Sequence, residues 1–85
     1  MTFVVYSKQG CPHCQQIQTL FELNDFKFVS YELDRDFNRE EFYEKFGDGS
    51  TFPQVTMNDI SLGGCTNTIK YLQEKDICCR VWTKN

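Results

Sequence analysis

Hydrophobic and polar residues follow two different periods along the first part of the chain. Residues 2–6 form an apolar run that is rich in β-branched and aromatic side chains, which is typical of a buried strand. The next apolar residues keep the i, i+3, i+4 spacing of one helix face, and they are Cys14, Ile17, Leu20 and Phe21. Asn24-Asp25 ends this helix, and residues 28–33 predict a second strand. This strand, helix and strand predict a right-handed βαβ unit with parallel strands.

The middle of the chain predicts a short helix and a hairpin. Asn38 can cap a helix that continues to residue 46, with Phe42 and Phe46 facing inward, and residues 47–50 supply the turn that ends it. Residues 54–57 and 60–62 predict two strands, separated by the tight turn Asn58-Asp59. Two short strands joined in this way form a β-hairpin.

The last predicted element is a helix that follows Gly63-Gly64. It begins at Cys65 or Thr66 and runs to residue 75, and its inward positions are Ile69 and Leu72. Residues 76–85 show no clear period. The order β-α-β-α-β-β-α predicts an α/β fold with a mixed four-stranded sheet flanked by three helices, which lie on both faces.

Composition narrows the classes of function. The 85 residues suffice for one compact domain, and 40% hydrophobic residues with eight Phe can supply its core. The net charge of −3 argues against a nucleic-acid partner. No stretch approaches the roughly 20 apolar residues of a membrane span, and no signal peptide is predicted. Five cysteines, an odd number, argue against a fully paired secreted framework, so we expect a reducing, cytoplasmic setting.

The candidate chemistry lies where the first strand meets the first helix, at Gly10-Cys11-Pro12-His13-Cys14. Two cysteines three positions apart share one side of a helical turn, which suits a disulfide. Pro12 favours the first helical position, so Cys11 becomes the N-cap and its sulfur faces the unpaired N–H groups of His13 and Cys14. The helix N-terminus favours an anion, so Cys11 should ionise more easily than a free thiol. We therefore expect Cys11 to attack disulfides and Cys14 to resolve the product. A CxxC at this junction points to a thioredoxin-like fold.

One lysine and three motifs support a closer identification. They are Lys8, Cys11-Pro12-His13-Cys14, Thr51-Phe52-Pro53 and Gly63-Gly64-Cys65-Thr66. With these residues in order, the chain resembles the dithiol type of glutaredoxin from residue 1 to about residue 75. The resemblance implies a single glutaredoxin domain over residues 1–85, with residues 76–85 as a tail.

The resemblance also implies an activity and its residues. Glutaredoxins use glutathione to reduce protein disulfides and protein–glutathione mixed disulfides. Cys11 would be the nucleophile and Cys14 the resolving cysteine, with Pro12, His13 and a cis Pro53 modulating the site. The residues expected to bind glutathione are Lys8, Arg39, Thr51, Phe52, Pro53, Gly64, Cys65 and Thr66. The start of the last helix can also bind a carboxylate on physical grounds alone.

Partners and cofactors follow from the same resemblance. Glutathione is the expected co-substrate, with no bound prosthetic group and no metal. The protein partners would carry disulfides or attached glutathione, and ribonucleotide reductase is a common one among similar proteins. We expect a monomer without nucleic-acid or membrane partners.

Three residues depart from the family's usual pattern. His13 stands where Tyr is commoner, and it can place a second positive dipole or charge near Cys11. Phe52 replaces the usual Val and should alter the wall beside the bound sulfur. Asn67 stands where an Asp often contacts the glutathione amine, so the affinity for glutathione should be weaker.

Simpler interpretations stand beside these. Cys11 and Cys14 could be half of a zinc site, which needs four ligands. A reductant of the thioredoxin type, recycled by a reductase, and a module that holds a metal or an iron–sulfur cluster are the rival classes. Lys8 and Arg39 could be solvated surface charges, and Pro53 could be trans at the start of an edge strand. Cys65 could be a small buried hydrophobe, and the adjacent Cys78 and Cys79 are expected to be inert.

Overall fold

Four strands form one mixed sheet in the computed structural model, which describes residues 2–75. The strands are β1 (Phe3–Ser7), β2 (Phe28–Glu32), β3 (Gln54–Met57) and β4 (Ile60–Gly63). Their order across the sheet is β2-β1-β3-β4. β1 pairs parallel with β2 and antiparallel with β3, and β3 pairs antiparallel with β4. The predicted βαβ unit and hairpin are therefore both present.

Two helices connect these strands, and they are α1 (Pro12–Leu23) and α2 (Arg39–Phe46), while a third, α3 (Cys65–Glu74), follows β4. Most predicted bounds differ from the observed ones by only one or two residues. β2 ends one residue before the predicted position 33, since the chain turns at Asp34 with a φ of +68°. The predicted tail, with Cys78 and Cys79, lies outside the described residues. No helix in residues 2–75 is long and apolar enough to cross a membrane.

The main core lies between one face of the sheet and the helices α1 and α3. Val5 of β1 and Val55 of β3 face each other in the register and are fully buried. The other buried members of this core are Phe3, Ile17, Leu20, Phe21, Met57, Leu62, Cys65, Ile69 and Leu72. The inward positions predicted for α1 and α3 are therefore confirmed.

A second, aromatic cluster holds α2 on the opposite face of the sheet. Side chains alternate along a strand, so Tyr6 points away from the face that carries Val5. The ring of Tyr6 lies 5.1 Å from that of Phe46, measured between centroids. Phe42 is 1% exposed and contacts the rings of Phe46 and Phe52. Helices thus cover both faces as predicted, although Phe46 is only half-buried.

Local interactions explain where α2 begins. The Asn38 side chain accepts a hydrogen bond from the backbone N–H of Glu41, and the Glu41 carboxylate accepts one from the backbone N–H of Asn38. This reciprocal pair is a capping box, and Asn38 is the predicted cap. The cap also fixes the position of Arg39, the first residue of the helix.

The turn that follows β2 is held by an exposed charged pair. Arg35 donates to the Asp36 carboxylate, which also accepts from the backbone N–H of Glu32. The hydrogen bond from Arg35 holds the pKa of Asp36 below its ordinary value. This turn forms part of the surface beside Lys8 that is described below.

Two leucines on α1 test the assignment of its buried face. Leu20 is 3% exposed and Leu23 is 75% exposed, so the same substitution removes core packing at one position and surface contacts at the other. We expect Leu20→Ala to lower the free energy of unfolding by about 2–5 kcal/mol. Leu23→Ala should change it by less than about 0.5 kcal/mol. Urea denaturation measures both values, and equal losses would contradict the described orientation of α1.

Candidate functional site

Cys11 and Cys14 lie at the start of α1, directly after the turn that follows β1. Cys11 is the N-cap in an extended conformation, and Pro12 is the first helical residue, both as predicted. The two cysteines form a disulfide with their Cα atoms 5.2 Å apart. Of the two N–H groups predicted to face the Cys11 sulfur, that of Cys14 donates to it at 3.2 Å. The first turn of the helix therefore presents a donor to this sulfur.

The two sulfur-bearing residues differ in exposure. Cys11 is 6% exposed and Cys14 is 1% exposed, so Cys11 is the more accessible of two well-covered residues. The first turn of α1 contains no acidic side chain. No carboxylate of that turn therefore offsets the positive end of the helix at Cys11. This arrangement favours Cys11 as the residue that carries negative charge.

The loop before β3 forms the wall opposite α1. Its Phe52-Pro53 peptide bond is cis, which confirms that part of the prediction, and Pro53 is buried. The Gln54 side chain donates to the carbonyl oxygen of Thr51 at 2.9 Å and so ties the loop to the first residue of β3. A Cβ placed on Gly64 would lie 3.4 Å from the carbonyl oxygen of Pro53. Glycine at this position therefore lets the loop approach the start of α3 closely.

The start of α3 is the second helix N-terminus at the site, and unlike the start of α1 it has no side-chain cap. Its N-cap is Gly64, so no side chain accepts from the N–H groups of the first turn. Such groups bind carboxylates and other anions. Thr66 and Asn67 are exposed beside them, whereas Cys65 is buried and belongs to the main core. Burial raises the pKa of the Cys65 thiol, which agrees with the simpler interpretation of this residue as a small hydrophobe.

These parts enclose a cleft of about 300 Å³. It is lined by His13, Thr51, Phe52, Pro53, Gln54, Gly63, Gly64, Cys65, Thr66 and Asn67. Six of the residues expected to bind glutathione thus line one cleft, together with His13. The cleft joins the first turn of α1 to the first turn of α3.

Lys8 and Arg39, the two remaining candidates, line a neighbouring depression. Both side chains also reach the ring of Phe52, which lines the cleft. The Lys8 Nζ lies 5.4 Å from the ring centroid, and the Arg39 Cζ lies 6.0 Å from it. Within residues 2–75 neither cation forms an ion pair with a carboxylate, whereas Arg35 forms two. Arg39 instead donates to the Tyr43 hydroxyl at 3.4 Å. Both cations therefore border the cleft without a carboxylate partner in the described chain.

Three cleft residues lie outside the predicted set of site residues, and they are Gln54, Gly63 and Asn67. The sequence pattern indicates Gln54 only as a strand residue, and its position directly after Pro53 is the signal that points to the site. Gly63 has a φ of +91°, and a Cβ there would lie 2.9 Å from the Asn67 amide nitrogen. The Asn67 side chain therefore folds back over Gly63, a contact that spacing alone does not indicate. Across residues 2–75, no group of three or more His, Cys, Asp and Glu could hold a metal ion.

Known proteins share both the sequence pattern and the fold. Residues 3–61 match the glutaredoxin family model. Glutaredoxin-C6 of rice (Oryza sativa subsp. japonica) is 35% identical over 69 residues, which are 78% of this chain and 62% of that protein. The chain thus spans less than two thirds of that relative.

Solved structures agree. The crystal structure of a wheat glutaredoxin is 33% identical with a TM-score of 0.72, and the match covers 88% of this chain and 72% of that one. The complex of buckwheat glutaredoxin with glutathione is 22% identical with a TM-score of 0.70, over 88% of this chain and 71% of that one, a likeness of fold. The family model matches residues 3–61, which are most of this chain, and the four-stranded sheet with three helices is that of a thioredoxin-like structure. The chain therefore belongs to the glutaredoxin family.

Proposed function

We propose that this chain is a glutathione-dependent thiol–disulfide oxidoreductase that reduces protein disulfides and protein–glutathione mixed disulfides. The observation that carries the proposal is the Cys11–Cys14 pair at one helix N-terminus, beside a cleft that ends at a second, uncapped helix N-terminus. The first supplies a sulfur that can be oxidised and reduced. The second supplies a place for a carboxylate next to it.

Reduction of a protein disulfide begins with the Cys11 thiolate. It attacks one sulfur of the target, a bond forms between Cys11 and that sulfur, and the other target sulfur leaves as a thiolate. The Cys14 thiolate then attacks the Cys11 sulfur and displaces the second target thiolate. The target has gained two electrons, and the enzyme holds the Cys11–Cys14 disulfide. The spacing of one helical turn brings the second sulfur within reach of the first.

Two molecules of glutathione return the enzyme to its reduced form. The first attacks the Cys11 sulfur as a thiolate, releases Cys14 and leaves glutathione joined to Cys11. The second attacks the glutathione sulfur, so glutathione disulfide is released with Cys11 as a thiolate. With a target that already carries glutathione, Cys11 takes over the glutathionyl group directly and the target leaves as a thiolate. Cys14 is not needed for this shorter route.

The cleft supports a specific orientation of glutathione. The backbone of Phe52 would pair with the cysteine portion, which places the glutathione sulfur near Cys11. The uncapped N–H groups at Gly64, Cys65 and Thr66 would hold the γ-glutamyl carboxylate. Lys8 and Arg39, which have no carboxylate partner in residues 2–75, would meet the glycine carboxylate. Thr51 lies beside this path as a further cleft residue.

The proposal includes a setting and a class of targets. The enzyme would act as a monomer in a reducing, cytoplasmic compartment, where glutathione is present to complete the cycle. Its protein targets would carry an accessible disulfide or an attached glutathione, and ribonucleotide reductase is a candidate among them. Glutathione is a co-substrate in this scheme, and no bound prosthetic group takes part.

Single serine substitutions separate the roles of the two cysteines. Cys11→Ser should reduce turnover of a glutathione mixed disulfide to the uncatalysed background, because the attacking sulfur is lost. Cys14→Ser should retain that turnover and lose reduction of protein disulfides, because only the second reaction needs a resolving thiol. Turnover coupled to glutathione reductase and NADPH measures both variants.

The wild-type assay also separates glutathione from another reductant. Recycling by thioredoxin reductase in the absence of glutathione would contradict the proposed co-substrate. Activity that survives in Cys11→Ser and disappears in Cys14→Ser would reverse the proposed roles.

The side chain between the cysteines should tune the reduction potential. His13 is exposed in the first turn of α1, where a positive dipole or charge stabilises a Cys11 thiolate and so favours the reduced form. His13→Tyr should therefore make the couple more reducing, by an amount on the order of 30 mV, or about 1.4 kcal/mol. Equilibration of the enzyme with reduced and oxidised glutathione measures the potential.

Thr19→Tyr is the matched control for this experiment, because residue 19 is exposed on the same helix more than a turn away from the cysteines. It should leave the potential unchanged. If both substitutions shift the potential equally, the effect of His13 does not depend on its place beside Cys11.

A further inference from the structure

The ring of Phe52 is held in a fixed orientation by a buried partner. It stacks on Phe42 with 4.2 Å between the centroids and 9° between the planes. Phe42 is 1% exposed and anchored in α2, and the ring of Phe37 is nearly parallel to that of Phe52 at 6.2 Å. A side chain of the loop before β3 is thereby fixed to the helix that carries Arg39.

Two cations from separate parts of the chain reach this one ring. Lys8 follows β1 and Arg39 begins α2, and their charged groups lie 5.4 and 6.0 Å from the ring centroid. Both distances fall within the range in which an aromatic face attracts a cation. Two like charges repel each other, and within residues 2–75 no carboxylate pairs with either of them. The ring therefore attracts two cations that form no ion pair with a carboxylate in residues 2–75, while Glu32 and Asp34 line the same depression.

We propose that Phe52 is a positioning residue, which holds Lys8 and Arg39 together as one receptor for the carboxylate at the glycine end of the tripeptide. This inference rests on the proposed use of glutathione. A carboxylate between the two cations receives hydrogen bonds from the Lys8 ammonium and from the Arg39 guanidinium. Each cation, which the ring attracts only weakly, then has an anionic partner. The ring thus adds selectivity for a thiol peptide that ends in such a carboxylate.

The aromatic face can be separated from the bulk of the side chain. Phe52→Leu keeps an apolar side chain beside Phe42 and removes the ring, whereas Phe52→Tyr keeps the ring. The substrates are two small mixed disulfides, one formed with glutathione and one formed with γ-glutamylcysteine, which lacks the glycine and its carboxylate. Circular dichroism and thermal unfolding establish that each variant is folded.

For the glutathione mixed disulfide, Phe52→Leu should raise KM about three- to tenfold and leave kcat within about twofold, because the lost contacts act on binding rather than on the transfer of sulfur. Phe52→Tyr should restore KM to within about twofold of the wild-type value. For the γ-glutamylcysteine mixed disulfide, Phe52→Leu should raise KM by a smaller factor, because this substrate shares the altered wall of the cleft but lacks the glycine carboxylate. Equal increases of KM for both substrates, or no increase for either, would overturn the inference.

A binding measurement distinguishes a failure of the role proposed for Phe52 from a failure of the proposed function. Titration with S-methylglutathione and with γ-glutamyl-S-methylcysteine, followed by NMR, gives the two affinities without any turnover. If wild type does not turn over the glutathione mixed disulfide, the proposed function fails. If wild type turns it over and Phe52→Leu binds S-methylglutathione as tightly as wild type does, only the role of Phe52 fails.

Discussion

The site depends on backbone N–H groups that two helices leave without intrahelical partners. The strand arrangement brings these helix starts together. β1 and β4 are both antiparallel to β3, so they run in the same direction and their carboxyl ends lie at one edge of the sheet. α1 begins after β1 and α3 begins directly after β4, at that edge. β3 enters the sheet from the same edge, which places the loop at Pro53 between the two helix starts. Three motifs far apart in sequence thus meet at one edge because of the direction and order of the strands.

The two clusters on opposite faces of the sheet have different consequences. The main core fixes α1 and α3 against the strands and so sets the separation of the two helix starts. The aromatic cluster under α2 reaches the site through Phe52, whose ring packs on the buried Phe42. This second cluster connects the loop before β3 to Arg39. The main core therefore sets the two helix starts that border the cleft, while the Phe52 wall and the cationic end beside it depend on the aromatic cluster.

The sequence predicted most of the elements because their signals are local. The spacing of Cys14, Ile17 and Leu20 identifies the inward face of α1, and Asn38 and Glu41, three positions apart, form a capping box. Asn58 and Asp59 have positive φ angles, as a tight turn between hairpin strands requires. The motifs also predicted most members of the cleft, since each motif is a short run of residues. Contacts between long side chains of different elements were not predicted: Phe52 was expected to change the wall of the cleft, but its contacts with Lys8 and Arg39 follow from the packing of α2 on the sheet.

The asymmetry between the two cysteines places one helix start where it acts on two steps of the proposed cycle, the attack by Cys11 and its final departure. Cys11 accepts a hydrogen bond from the N–H of Cys14, while Cys14 lies deeper, within the helix. Stabilisation of a thiolate increases the fraction of attacking sulfur, but it also lowers the intrinsic nucleophilicity of that sulfur, so attack alone gains little from strong stabilisation. Departure gains more, because a stabilised thiolate is the better leaving group. Cys11 leaves when the second glutathione releases glutathione disulfide. Placing the helix N-terminus at Cys11 therefore favours the end of the cycle at least as much as its beginning.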